Sequence, residues 1–364
     1  MVIIAIHFKE DKQLRILLII KNFDFGGAEN HVRELANTLS DSGNEVYVIS
    51  GNGRQKSLLN KRVNYIPMTL KYMLIPFSLI RISLMIRIHK IQVIHAHQRL
   101  PILTSCLAGR ITGVPVIVTV HGRTRFDLRS RISRKYPDKI IFVSRKVLEV
   151  SAKYEDIKEK SVIIPNWVSS GEKRADYNPY SICYVSRIDK KHSELILLII
   201  KTISRLSRKY PSVRFRVIGE GDYLNKVREE AALINSRLNR EACKTEGFVL
   251  DVKGMIWQSE LVIGVGRVAL EALAVGVPVL SMNRQRMGSL ISRGNYETYR
   301  RGNFVAAGND PPDETSLFNS LDDFFEHRDI WKQEASVLKE YVLRDFSPEK
   351  ITGEIMKLYH EVSE

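Results

Sequence analysis

Between Gly51 and Leu100 the chain carries no aspartate or glutamate at all. Residues 51–150 hold 19 Lys and Arg against 3 Asp and Glu, so the formal net charge of +15 is concentrated there, while residues 301–364 run the other way with 7 against 14. A local excess of this kind implies an anionic partner surface, a membrane or another polyanion. Basic motifs interleaved with aromatics are lacking, so nucleic acid is not an expected partner. Cysteine is scarce: Cys106, Cys183 and Cys243 are odd in number, far apart and set in apolar stretches. That excludes a disulfide framework and suggests a reducing compartment. Long apolar runs are missing too. Residues 1–8 are apolar but short, and Tyr72 to Ile88 is interrupted by Pro76, Arg81 and Arg87. Neither a secretory leader nor a membrane span is expected. The expected place is the cytoplasm, with the basic segment 51–150 available for peripheral attachment to the inner face of a membrane. No P-loop, Cys-x-x-Cys pair or Ser/His/Asp order appears.

What is present is room for two domains. The length is 364 residues, and 44% apolar with 27% charged content is that of a globular protein. Short apolar runs alternate with helical spacing from Leu14 to Ile164, and again from Ile182 to His327. Strand–helix alternation predicts a parallel, doubly wound sheet in each half. The expected division is a Rossmann-like domain over 1–170, a linker over 171–180, a second Rossmann-like domain over 181–345, and a terminal helix over 346–364. That helix would pack back on the first domain. Ligands are expected at the carboxyl ends of the strands, in a cleft between the halves. Tyr72 to His89 reads as a basic amphipathic helix, or as two helices broken at Pro76.

Leu261 to Met282 reads as strand, glycine turn, helix, turn and strand. Gly264 and Gly266 open the turn where backbone can approach a ligand. The helix over Arg267–Val275 would present its free N–H groups and positive dipole end as an anion site. Glu271, one turn inside, is placed to accept hydrogen bonds from hydroxyls beside a bound phosphate. Two other readings stay open on this stretch alone. One is a plain βαβ unit with packing glycines. The other is a dinucleotide fingerprint, since Gly264, Gly266 and Ala269 fit G-x-G-x-x-A, although Asn283 to Arg286 lacks the acidic residue that would hold a ribose.

Other strand ends carry further candidates. Gly26 and Gly27 precede a helix, with Glu29 in its first turn. His97 and His121 lie at strand tips, beside His95. A zinc site from these three histidines lacks a carboxylate or cysteine close by and is not expected. Arg187, Lys190, Lys191 and His192 follow the first strand of the second half, where cations can neutralise a diphosphate. Gly219, Glu220 and Gly221 make another glycine turn.

The stretch from Gly264 to Val279 resembles the signature of family 4 glycosyltransferases: Gly264, Gly266, Leu270, Glu271, Ala272, Ala274, Gly276, Pro278 and Val279 match. Ile263 stands where that family has its first glutamate. Gly26-Gly27-Ala28-Glu29, Arg187, and the Gly219-x-Gly221 turn are similar to further motifs in the family's order, with Lys191 or Lys190 standing near the family's lysine. The resemblance implies the GT-B fold, with two Rossmann-like doubly wound domains. It also implies a retaining, metal-independent transfer of sugar from a nucleotide-diphosphate donor to a glycan or lipid-linked acceptor, as in cell-envelope or exopolysaccharide synthesis. No cofactor is implied, the nucleotide sugar being substrate. The absence of an Asp-x-Asp triplet agrees with a metal-free diphosphate site. By resemblance, His121, Arg187 and Lys191 are catalytic. Gly26, Gly27, Gly219, Glu220, Gly264, Gly266, Arg267 and Glu271 bind the donor, and His97 and Glu29 lie on the acceptor side. The loss of a glutamate at Ile263 implies an altered sugar preference, or a catalytically weak protein that binds nucleotide or a partner.

Overall fold

The computed structural model describes residues 13–24, 26–122, 127–151, 153–170, 178–249 and 251–364. The chain divides into two compact units, Met1–Asn166 with Glu349–Glu364, and Trp167–Pro348. Most of the linker expected at 171–180 lies outside the described residues.

In the first unit the described strands are β1 (Arg15–Ile19), β2 (Glu45–Ser50), β3 (Asn64–Pro67), β4 (Val93–His97), β5 (Val116–Val120), β6 (Lys139–Phe142) and β7 (Ser161–Ile163). They form one parallel sheet in the order β3-β2-β1-β4-β5-β6-β7. Its described helices are α1 (Gly27–Asp41), α2 (Ile75–Ile88), α3 (Arg99–Thr112), α4 (Arg131–Lys135) and α5 (Arg145–Ser151). A parallel sheet is covered on both faces, which is why its central strands are continuous apolar runs rather than alternating ones. Leu17, Ile19, Ile94, Val118 and Phe142 form its core. In α1, Val32, Leu35, Ala36 and Leu39 recur at helical spacing and are buried. Gly43 just beyond it takes φ +88°, a conformation open to glycine. Pro76 does not break the segment expected at 72–89. It sits in the first turn of α2, after a short 3-10 turn at Tyr72–Leu74, where the missing N–H costs no helical bond.

The second unit holds β8 (Ser181–Val185), β9 (Arg214–Ile218), β10 (Cys243–Gly247), β11 (Leu261–Gly264), β12 (Val279–Asn283) and β13 (Arg286–Leu290). Their order is β10-β9-β8-β11-β12-β13. The sheet is parallel except for β13, which pairs antiparallel with β12 at the edge and corrects the all-parallel expectation. The described helices are α6 (Lys190–Leu206), α7 (Leu224–Leu238), α8 (Val252–Trp257), α9 (Arg267–Ala274), α10 (Tyr296–Arg301), α11 (Glu314–Glu326) and α12 (Arg328–Phe346), with α13 (Pro348–Ser363) returning to the first unit. Strand β12 begins two residues later than the expected Val277, because Gly276 (φ +75°) and Pro278 occupy the turn. Asp189, Asp251 and Asp313 accept hydrogen bonds from the N–H groups that open α6, α8 and α11. Helix α12 buries Ala335, Leu338, Val342 and Phe346. Leu338, Val342 and Phe346 share an apolar cluster with Ala269, Leu270 and Leu273 of α9.

Candidate functional site

Both sheets reverse direction at the same point. In the first, β2 and β4 flank β1; in the second, β9 and β11 flank β8. The crevice at such a reversal, beyond the carboxyl ends of the strands, is where an open α/β sheet takes ligands. Each unit places its candidate residues there.

In the second unit, Tyr184 of β8 pairs with Ile263 of β11. Arg187 and Gly266, each three residues further on, therefore emerge at neighbouring strand ends. Arg187 is exposed, and no carboxylate pairs with it among the described residues. Gly264 corrects the sequence reading. It is the last residue of β11, buried and paired with Ser281, and the turn itself is Val265-Gly266. Gly266 caps α9 with φ +61° and offers no side chain to the helix end, so the first N–H groups of α9 lack an intrahelical acceptor. Arg267 Nε donates to Glu271 Oε1 at 2.7 Å, and both side chains are mostly buried. Glu271 thus faces a cation from its own helix.

Glycines 219 and 221 are held by the backbone. Gly219 has φ +146°, and a Cβ there would lie 1.8 Å from the Ser186 carbonyl oxygen; at Gly221 it would lie 2.5 Å from that of Ile188. The close approach lets Ile188 N–H donate to the Glu220 carbonyl at 2.9 Å, tying the Arg187 loop to the glycine turn. The Glu220 side chain points to solvent. Lys191 is also corrected in place: it belongs to the first turn of α6, not to a loop before the helix, because Asp189 caps that helix earlier than expected. Asp189 Oδ1 accepts from the N–H groups of His192 and Lys191 at 3.0 Å, and from the His192 ring. These bonds, that of the His192 N–H first, hold the Asp189 carboxyl below the usual range. Ile263 is 0% exposed and packed with Leu280 and Leu261, so its side chain meets the core.

In the first unit, Gly26 caps α1 in an extended conformation and Gly27 opens the helix. A Cβ on Gly26 would lie 2.3 Å from Glu29 Oε2, so that carboxylate lies over the glycine. Gln98 Nε2 donates to Glu29 Oε1 at 2.7 Å. Gln98 was not marked by any pattern, yet it follows β4 with φ +69° and ψ +158°, a region L-residues enter only under constraint and one that clusters at functional sites.

His97 and His121 come together, with His97 Nδ1 and His121 Nε2 3.1 Å apart. His95, which shares β4 with His97, does not join the pair. Its ring nitrogens are engaged by the Tyr359 hydroxyl at 2.6 Å and the Thr119 hydroxyl at 2.7 Å, and burial lowers its pKa to about 3. His31 of α1 takes its place, with ring centroids 5.0 Å from His121 and 5.6 Å from His97. Its sequence signal was its position on the buried face of α1, four residues before Leu35. Burial, and then His95, His121 and His31 nearby, push the His97 pKa well below the ordinary value, so its ring is neutral.

The profile of Glycosyltransferase Family 4 matches residues 25–171, and that of Glycosyl transferases group 1 matches residues 179–318. One of the subunits of the phosphatidylinositol N-acetylglucosaminyltransferase of Arabidopsis thaliana is 29% identical over 256 residues, which is 62% of this chain and 57% of that protein. The chain therefore spans little more than half the length of the curated relative it matches. Among solved structures, a glycosyltransferase from Rickettsia africae superposes with a TM-score of 0.76 at 20% identity, covering 97% of this chain and 99% of its own. HepE of Anabaena, in complex with UDP, gives 0.74 at 19% identity, covering 96% and 100%; the same protein with UDP-glucose gives 0.74 at 18%, covering 96% and 100%.

Proposed function

From the family 4 match over residues 25–171, the group 1 match over residues 179–318 and the two Rossmann-like units of the GT-B fold, we propose that this chain is a family 4 glycosyltransferase that moves a sugar from a nucleotide-diphosphate donor to a glycan or lipid-linked acceptor. The transfer proceeds with retention and without a metal on the diphosphate, in the synthesis of cell-envelope or exopolysaccharide material. The observation that carries the donor side is the α9 start: open N–H groups behind Gly266, Glu271 one turn inside, and the exposed Arg187 at the next strand end. Arg187, Lys191 and the α9 N-terminus take the charge of the leaving diphosphate. Glu271 accepts from the ribose hydroxyls. The leaving phosphate oxygen takes the acceptor's proton on the same face, so no side chain must act as a strong base. His121, His97 and Glu29 meet the acceptor. The UDP and UDP-glucose complexes of HepE make a uridine nucleotide the first donor to try. The phosphatidylinositol-directed relative supports a lipid-linked acceptor.

Calorimetry with UDP, GDP, ADP and dTDP tests the donor site. One nucleotide should bind clearly best. Glu271→Gln should weaken that binding by at least roughly tenfold, since a hydrogen bond to a charged acceptor is worth about 1.5–3 kcal/mol. Unchanged affinity would sink the ribose assignment. The buried Ile263 favours a second reading, a GT-B protein that binds nucleotide or a partner but transfers poorly. Nucleotide binding without release of sugar from UDP-glucose, or from the donor of the preferred nucleotide, would decide for it.

Among the described residues no helix is long and apolar enough to cross a membrane. We propose peripheral attachment to an anionic inner membrane face through α2. Ser78, Ile82 and Ile86 pack inward. Met73 (92% exposed), Phe77 (68%), Ile80 (60%), Leu84 and Ile88 face outward, among the exposed Lys71, Arg81, Arg87 and Lys90. Apolar side chains ringed by cations suit the headgroup boundary. Each Lys or Arg near such a surface contributes about 1 kcal/mol. Sedimentation with anionic-lipid vesicles should therefore be strong at low salt, weak at high salt and absent with neutral lipid. Replacing the four cations by glutamine should abolish it while the chain stays folded. Equal recovery in the supernatant with both vesicle types would end this reading.

A further inference from the structure

His121 follows the carboxyl tip of β5, and Val116 opens the same strand roughly 16 Å away. Around that opening the first unit has a hollow of about 580 Å³, walled by the last turn of α3, the 113–115 turn, the 135–138 turn before β6, Lys160 and Val362 of α13. That is the size of a small-ligand site, and every residue lining it belongs to the first unit. We propose that this hollow binds a phosphomonoester group, carried by a free metabolite or by a lipid headgroup, through Arg110, Lys135 and Lys160.

Charge supports it first. Three cations line the hollow against one carboxylate, that of Asp138. A phosphomonoester carries about −1.5 to −2 near pH 7, which matches that excess. Arg110 and Lys135 are exposed, and no carboxylate pairs with either among the described residues. Asp138 Oδ2 accepts from the Val116 N–H at 2.7 Å, and Glu361, beside Val362 in the chain, pairs with Lys139. The helix ends come next, because α3 and α4 both finish here and a negative dipole end opposes an anion. Both ends are answered from within. Gly113 N–H donates to the Gly109 carbonyl at 2.8 Å, and Tyr136 N–H to that of Ile132 at 3.1 Å. Lys160 Nζ donates to the carbonyls of Lys135 at 2.7 Å and Pro137 at 3.0 Å. Those two bonds fix Lys160 and leave it a third N–H for a ligand. Lys135 Nζ lies 5.8 Å from the centroid of the Tyr136 ring, which orients the ammonium without cancelling its charge. Shape is the third support. Gly113 takes φ +76°, and a Cβ there would meet nothing within 4 Å, so the turn borders open space. Val114, Pro115 and Val362 give an apolar wall to the carbon skeleton of a ligand. A concave site lined by one sign of charge focuses its field on the opposite sign.

The test uses the full chain, with glycerol 3-phosphate as the probe and glycerol as its neutral control. Calorimetry should show one saturable site per chain for the phosphate ester and none for glycerol. Binding should persist in Arg187→Ala, which removes the cation proposed for the donor diphosphate. Arg110→Gln combined with Lys135→Gln should weaken it by more than about tenfold, since each change removes a charge-assisted hydrogen bond. Val362→Trp keeps every cation and fills the hollow, and should weaken it as much. Melting temperatures of both variants should match that of the parent. Flotation with phosphatidylcholine vesicles containing phosphatidate, against vesicles of equal charge containing phosphatidylserine, assigns the source. A phosphatidate preference that the glutamine pair removes makes it a headgroup site; glycerol 3-phosphate binding without that preference makes it a metabolite site. Three results would overturn the proposal: neither saturable binding of the probe nor a phosphatidate preference, affinity unchanged in either folded variant, or binding lost in Arg187→Ala. These readouts do not involve sugar transfer, so they stand or fall separately from the proposed activity.

Discussion

Arg187→Ala lowers the rate of sugar transfer by about 100- to 1000-fold, the usual effect of removing one donor aimed at charge that develops in a transition state. The expectation rests on where the side chain sits. Arg187 follows β8 at the reversal of the sheet, and no carboxylate neutralises it among the described residues. An exposed guanidinium with no carboxylate partner among the described residues gains little for folding through pairing there. Its loop is nevertheless held tightly, through Ser186 N–H to the Ile218 carbonyl and Ile188 N–H to that of Glu220. A cation free at its tip and fixed at its base is pre-organised for an anionic group. The melting temperature of Arg187→Ala should equal that of the parent, and single-turnover rates with the preferred nucleotide sugar should carry the loss. Turnover near the parent value would remove Arg187 from the mechanism.

The largest loss of stability is expected at Glu260→Ala. Its side chain is 0% exposed and meets Arg328 Nη2 at 2.5 Å and Lys332 Nζ at 2.8 Å, while Oε2 accepts from the Tyr180 N–H. Removing the carboxylate leaves two cations and a backbone donor facing a buried void. Breaking such a pair from one side costs about 3–5 kcal/mol. Arg328 and Lys332 keep partial access to water, so the lower end applies. Urea unfolding of parent and variant measures it, and a difference under about 1 kcal/mol would show that the cluster behaves like a surface ion pair. Nucleotide affinity of the folded variant should be unchanged, since Glu260 lies at the amino end of β11, away from Gly266.

The strand–helix rhythm of both halves is legible in the sequence because buried parallel strands are short unbroken apolar runs, and because Gly43, Gly113 and Asn239 mark helix ends by taking positive φ. Helix α12 is harder to see. Its buried Ala335, Leu338, Val342 and Phe346 are diluted by charged residues, and no turn residue separates it from α11. Strand β13 is an exposed edge with the sequence Arg-Met-Gly-Ser-Leu, which has little apolar pattern. At the site, glycine turns and strand-end cations can be marked because their residue types are unusual where they stand. His31 and Gln98 cannot be marked in that way. Their significance comes from long-range register, which sets α1 beside β4 and β5, and from a backbone strain that leaves no trace in composition.

Helix α13 has a consequence for how the molecule is made. The first unit takes residues up to Asn166 and then Glu349–Glu364, so it is discontinuous in the chain, whereas Trp167–Pro348 is continuous. The Tyr359 hydroxyl bonds His95 in β4, and Lys139 pairs with Glu361. During synthesis the earlier half waits, with the α13 side of its sheet uncovered, until residues 349–364 have left the ribosome. By then the whole of the later half, Trp167–Pro348, has been translated. The usual order, in which the earlier domain folds first, is altered for the final step: a segment translated after the continuous unit closes the unit begun before it.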